Sequence, residues 1–151
     1  MSPTALIAIG APGSGKSTYL KKLKNHVYIS TDDIREELSG SPLDKTRNDE
    51  AWDEVYMRIH ASLLVGRNVA IDATNSRPVY RHMLVAHCRQ YADSIQGIFF
   101  DIPLSVCLER NMNPDRGRVV SEEIIESIAQ RISDYPPTMA DGFDEIITIR
   151  R

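Results

Sequence analysis

At 151 residues, 42% of them apolar and 26% charged, the chain has the size and balance of one globular domain with a filled core, which excludes a disordered or coiled-coil protein. A net charge of −3 argues against a broad, salt-driven nucleic-acid surface, although residues 67–118 hold seven Arg against five acidic residues and leave room for a local basic strip. The longest apolar stretches are too short to span a bilayer, the first residues lack a basic start and an apolar run, and Cys88 and Cys107 show no metal or disulfide spacing, so a cytoplasmic protein without membrane contact is expected.

Residues 4–9 read as a strand running into a glycine-rich turn, and residues 16–24 as a helix. A second strand over 27–30 leads into a helix over 31–38, which breaks at Gly40-Ser41-Pro42. The next helix, over about 44–66, carries Trp52, Val55, Tyr56, Ile59, Leu63 and Leu64 at helical spacing. Trp52 fits that core stripe better than a base-stacking platform. A third strand over 68–73 precedes a helix over 78–91, whose apolar face is expected from Val79, Met83, Ala86 and Cys88 or Tyr91. A fourth strand spans 97–102, and Pro103 opens a short helix to about 111, followed by a breaker-rich loop from Asn113 to Arg118. Ser121 can cap a helix with Glu122 and Glu123 in its first turn and Ile124, Ile125, Ile128 and Ile132 as its buried stripe, ended by Tyr135-Pro136-Pro137. Residues 145–149 form the last strand. Five strands alternating with helices predict a parallel sheet covered on both faces, as one domain over 1–151.

Gly10-Ala11-Pro12-Gly13-Ser14-Gly15-Lys16-Ser17 fits G-x-x-x-x-G-K-[ST], after a strand and at the start of a helix. Glycines let successive backbone N–H groups curl around phosphate oxygens, and the helix aims its N-terminus at the anion. Gly13, Ser14, Gly15, Lys16, Ser17 and Thr18 are therefore the expected nucleotide contacts, with Lys16 bridging the β- and γ-phosphates. Ser17 is the expected Mg²⁺ ligand, and Thr18 an α-phosphate contact or a helix-surface hydroxyl. This loop says nothing about what receives the phosphate.

In Ser30-Thr31-Asp32-Asp33-Ile34-Arg35, Asp32 and Arg35 are three apart and share one helix face beyond the carboxyl end of a strand, where ligands of parallel sheets bind. Asp32 suits orienting or deprotonating an acceptor hydroxyl, and a cation there suits the transferring phosphoryl. Ser30 and Asp33 read as a capping-box-like helix start. Asp72-Ala73-Thr74-Asn75 closes the third strand: Asp72 could hold Mg²⁺ through water, and Thr74 and Asn75 could contact acceptor or phosphate, unless Asn75 or Ser76 caps the next helix. Arg77, Arg81 and His82 could meet an anionic acceptor or face solvent. Arg110, Arg116 and Arg118 flank a loop at about 111–120 that could close over ATP as a lid, neutralising phosphoryl charge and excluding water, or stand as a solvated charged loop. His26, His60 and His87 show no ligand spacing.

Over nearly its whole length, through GAPGSGKST (10–18), STDDIR (30–35), DATN (72–75) and CLERN (107–111) with the arginine loop, the chain resembles the kinase domain of bacterial and phage polynucleotide 5′-kinases, within the small P-loop kinases. The resemblance implies an α/β P-loop NTPase fold, a five-stranded parallel sheet flanked by helices with a small arginine-bearing lid. It implies ATP as donor, Mg²⁺ as cofactor, and the 5′-hydroxyl of DNA or RNA as acceptor. Asp32 is then the general base, Arg35 the contact to the acceptor phosphate, and Arg110 with Arg116 or Arg118 the contacts to ATP. The residues themselves leave open a small-metabolite or sugar kinase and a regulator that binds nucleotide without transferring phosphate.

Overall fold

The computed structural model describes residues 3–113, 115 and 118–150. The elements run β1 (Thr4–Ile9), α1 (Lys16–Lys21), β2 (His26–Ser30), α2 (Thr31–Ser39), α3 (Asn48–Leu64), β3 (Asn68–Asp72), α4 (Pro78–Arg89), β4 (Ser94–Phe100), α5 (Leu104–Asn111), α6 (Glu122–Asp134), a 3₁₀ turn (Met139–Asp141) and β5 (Glu145–Ile149). The five strands form one parallel sheet in the order β2-β3-β1-β4-β5.

The central strand is apolar at nearly every position because both of its faces are covered, the pattern expected inside a parallel sheet. Ala5, Ile7 and Ile9 pack on one side with Val55, Ile59 and Leu63 of α3 and Leu84, Val85 and Cys88 of α4. Leu6 and Ala8 pack on the other side with Leu20 and Tyr19 of α1, Ile98 and Phe100. A third cluster of Ala11, Cys107 and Ile125 joins α5 and α6 to the loop after β1. Those two layers bring the ends of β1, β2 and β3 to one rim, where the site lies.

Several boundaries and faces differ from the sequence reading, each for a local reason. Helix α3 begins at Asn48, not near 44, because the Asp44 carboxylate accepts from the Thr46 backbone N–H at 2.9 Å and from its hydroxyl at 2.7 Å, a turn that competes with the helix. Strand β4 starts at Ser94, set by its pairing with Thr4, and stops at Phe100. In α4 the buried positions are Arg81, Leu84, Val85 and Cys88, while Val79, Met83 and Ala86 face outward. The inward face became available because Arg81 carries its own partners into the interior: its guanidinium donates to the backbone oxygens of Asn75 at 3.0 Å and Tyr135 at 2.8 Å and pairs with Asp141 at 3.0 Å. Leu64 and Ile124, both expected in buried stripes, are exposed.

Candidate active site

The turn from β1 into α1 is set by close approach and by backbone angle. A Cβ on Gly10 would stand 2.7 Å from Ser14 Oγ and 3.0 Å from Phe100 Cβ, so no larger residue fits without displacing the loop. Gly15, at φ 95°, occupies the left-handed region and serves as N-cap of α1. The Lys16 ammonium folds back over the loop and donates to the carbonyls of Gly10 at 2.9 Å and Ala11 at 3.0 Å. Ser14 is buried beneath the loop, its hydroxyl lacking a hydrogen-bond partner among the described residues.

Strand β3 delivers Asp72 beside this loop. Its Oδ2 accepts from Ser17 Oγ at 2.6 Å and also from the Tyr28 hydroxyl on β2. Burial and the Asp72 charge together push the Tyr28 phenol above its ordinary range, so it stays a neutral donor. The register explains the meeting: Ser30 pairs with Asp72, and Tyr28 lies two residues back on the same face of β2. Asn75, with φ 48°, donates from Nδ2 to the Ala8 carbonyl at 2.7 Å, and Gly10 N–H donates to Thr74 O at 3.0 Å. These two bonds clamp the end of β3 to β1, so Asn75 is a scaffold side chain on its amide nitrogen side.

Ser30 caps α2, accepting from the Asp33 N–H at 3.2 Å, as expected. The Asp33 carboxylate does not complete a capping box: it accepts from Arg118. Arg118 also approaches Glu36 at 3.5 Å and Asp32 at 3.9 Å. Partial burial works against its charge, but these carboxylates outweigh it and hold the guanidinium above its usual range. Arg35 donates to Asp32 at 2.8 Å and to Asn48 Oδ1 at 3.1 Å, which fixes the fork against α3. Arg110 reaches across from α5 to donate to the Gly13 carbonyl at 3.2 Å. Asn111 makes two bonds to the Val120 backbone, at 2.6 and 2.9 Å, and so closes the neck of the arginine loop. Arg116, also expected in the lid, lies outside the described residues.

A cleft of about 1280 Å³ unites these parts. It is lined by Gly13, Gly15, Lys16, Ser17 and Thr18 of the phosphate loop and α1, by Asp32 and Arg35 of α2, by Asp72, Thr74, Asn75 and Arg77 at and after the end of β3, and by Arg110 and Arg118. Arg81 and His82 are not part of it; both pair with Asp141, His82 at 2.8 Å. The sequence reading missed Tyr28, Asn48, Asn111 and Arg131, whose Nη1 donates to Ser76 Oγ at 3.1 Å in the cleft wall. A smaller cavity of about 480 Å³ between the end of β4 and α6 is lined by Asp101 and Glu126 and by no Lys or Arg, which suits no phosphate.

Comparison with known proteins adds four findings. A family model described as an AAA domain matches residues 6–134. A protein of Autographa californica nuclear polyhedrosis virus, named as a bifunctional polynucleotide kinase/RNA ligase, is 27% identical over 128 residues, 73% of this chain and 18% of the viral protein. A chain in the structure of the Pnkp1/Rnl/Hen1 RNA repair complex is similar with a TM-score of 0.77 and 29% identity, over 95% of this chain and 47% of that one. Chaetomium thermophilum Kti12, solved with ADP-AlF3, is 15% identical with a TM-score of 0.71 over 97% of this chain and 88% of its own, a likeness of fold alone. The chain thus spans under half the length of the first two relatives.

Proposed function

The chain belongs to the AAA-domain family, and on that premise we propose that it is a cytoplasmic phosphotransferase that moves the γ-phosphate of ATP to the 5′-hydroxyl of a DNA or RNA strand. One observation carries the reading: the Asp32–Arg35 pair, 2.8 Å apart, lines the same cleft as the phosphate loop. Asp72 already supplies the carboxylate that a nucleotide switch uses beside its phosphates; a second carboxylate in the cleft, paired with a cation, suits an acceptor hydroxyl. The named relatives, one a polynucleotide kinase/RNA ligase and one in an RNA repair complex, point to a polynucleotide acceptor.

In this mechanism the loop N–H groups and the Lys16 ammonium hold the β- and γ-phosphates. Lys16 exchanges its contacts to Gly10 and Ala11 for phosphate oxygens, a swap that costs little because both partners are acceptors. Ser17 Oγ and Asp72 Oδ2 are hard oxygen donors 2.6 Å apart, the sparse set that Mg²⁺ takes alongside phosphates and water, so the residues fit this ion. When bound, the ion neutralises phosphate charge. Tyr28 orients the Asp72 carboxylate. Asp32 accepts the acceptor's O–H proton as its oxygen bonds to the γ-phosphorus and the bond to the β-phosphate oxygen breaks, releasing ADP. Arg35 holds the acceptor's phosphate, and Arg110 at the loop meets charge on the transferring group. Arg118, which lines the cleft, turns from its carboxylates toward the phosphates and helps exclude water, which would otherwise take the phosphoryl group.

Incubation with γ-labelled ATP and 5′-hydroxyl oligonucleotides is the test. Label should appear at the 5′ end; a chain that binds ATP yet labels no oligonucleotide sinks the assignment, and label on a monosaccharide instead redirects it to a sugar kinase.

A further inference from the structure

We propose that Trp52 and Tyr80 form a stacking platform for the 5′-terminal base of a single-stranded nucleic-acid acceptor, an inference that rests on the kinase reading above. The two rings lie 5.5 Å apart with planes 2° from parallel, an offset stack, and both line the cleft that holds the phosphate loop. Trp52 is half-buried: it packs against the core cluster that holds Ala51, Val55, Ile59 and Leu63, and it also lines the cleft. Tyr56 braces it at 5.8 Å and in turn stacks on His87 at 4.0 Å. The rings thus serve core packing through Trp52 and Tyr56 and line the cleft through Trp52 and Tyr80.

Position gives the wall its ligand. Asn48, which holds the Arg35 fork, lies one turn before Trp52 on α3, about 6 Å along the helix axis. That span is comparable with the separation of a 5′-hydroxyl from its own base across the sugar. Asp32 is joined to Asn48 through the Arg35 fork and lines one cleft with Trp52 and Tyr80, so a nucleoside with its hydroxyl at Asp32 can turn its base toward the two rings. Lys45, Arg77 and Arg131 line the same cleft and can follow the next phosphates. A net charge of −3 argues against a broad basic surface for a strand, so stacking of the base adds to the phosphate contacts within the cleft. Stacking accepts any base, because each has a π-face, and it requires an unpaired end. The expected acceptor is thus a single-stranded or frayed 5′ terminus, without preference for sequence.

Trp52 is the single tryptophan of the chain, so its emission reports the platform without any turnover. The whole chain is titrated, without ATP, with a 5′-hydroxyl oligonucleotide and with the same strand made abasic at its 5′ residue. The base-bearing strand should quench the emission and bind roughly tenfold more tightly than the abasic one. In Tyr80→Leu, which retains the reporter, that ratio should shrink. In transfer assays the acceptor KM of Trp52→Leu should show almost no difference between the two strands, whereas Trp52→Phe should restore it. Equal binding of both strands by the unaltered chain overturns the platform, and does so even where Trp52→Leu fails to fold. Transfer to both strands with no discrimination overturns the platform while the kinase reading stands; quenching by a strand that never accepts label overturns the kinase reading and leaves the platform.

Discussion

Two arginines that look alike in the sequence, Arg81 and Arg118, meet carboxylates in opposite settings. Arg81 is 1% exposed and Asp141 6%, and the contacts of this pair tie α4 to the turn before it at Asn75 and to the chain from Tyr135 to Asp141. Arg118 is 27% exposed, touches three carboxylates of α2 and hangs at the cleft mouth. In the interior, burial lowers the Arg81 guanidinium below its usual range and Asp141 offsets only part of it, so the pair is held by packing and by backbone acceptors. At the mouth, solvent screens each contact and none is strong. A guanidinium with fixed backbone partners holds the fold together. One that shares several exposed carboxylates can let go of them and turn to a phosphate.

The largest effects should separate the two regions cleanly. Asp32→Ala, on the exposed side, should cost roughly 10²- to 10⁴-fold in phosphate transfer while ATP binding and the melting temperature barely move. Transfer assays beside nucleotide titrations check it, and unchanged turnover breaks the functional half of the contrast. Arg81→Met should do the reverse, leaving the buried Asp141 with His82 and the Thr138 N–H but no guanidinium, and destabilising the chain by about 3–5 kcal/mol in urea unfolding. Arg81→Met with Asp141→Asn should recover more than half of that loss, because the uncompensated charge is gone while an amide oxygen still serves Thr138 N–H, now at 3.0 Å from Asp141. A single mutant that unfolds at the wild-type urea midpoint would show the pair to be ornamental.

The contrast also marks what could be read from the sequence. The phosphate loop was legible because its requirements are contiguous: glycines at positive φ, a lysine and a serine within eight residues, after one strand and before one helix. Strands β1 and β5 and the Ser121 cap, whose Oγ accepts from Ile124 N–H at 3.3 Å, were legible for the same reason. Arg81 was misread because hydrophobic periodicity counts every arginine as outward, and its partners at 135 and 141 are far along the chain. Asp33 looked like a cap because Ser30 truly is one; that its carboxylate belongs to Arg118, 85 residues on, depends on how the arginine loop folds back. Tyr28 on Asp72 and Asn111 on Val120 were hidden likewise, the first by strand order and the second by a loop neck that no periodicity describes.

Smaller effects sharpen the same contrast. Arg118→Ala should change stability by less than about 1 kcal/mol, a difference that should vanish in high salt because exposed pairs are screened. A loss near that of Arg81→Met would mean the loop is part of the scaffold.

Cys88 offers the finest probe, because it sits on the buried face of α4 seven residues after Arg81. Burial pushes its thiol from 9.0 to about 12, so the folded chain holds the proton more tightly than the unfolded one. The stability this contributes is complete below about pH 9 and drains away as pH rises toward about 12, so base should unfold the chain through that window. At pH 8 an ordinary cysteine is about one-tenth thiolate and Cys88 about one part in ten thousand, so alkylation there reports opening of α4. Arg81→Met should raise the labelling rate of the Cys88 peptide in proportion to the stability it loses, read by mass spectrometry to separate it from Cys107. Arg118→Ala should leave that rate within about twofold, since an exposed pair contributes so little to the closed state. Equal acceleration by both substitutions would place the arginine loop and α4 in one cooperative unit and erase the distinction between the two arginines.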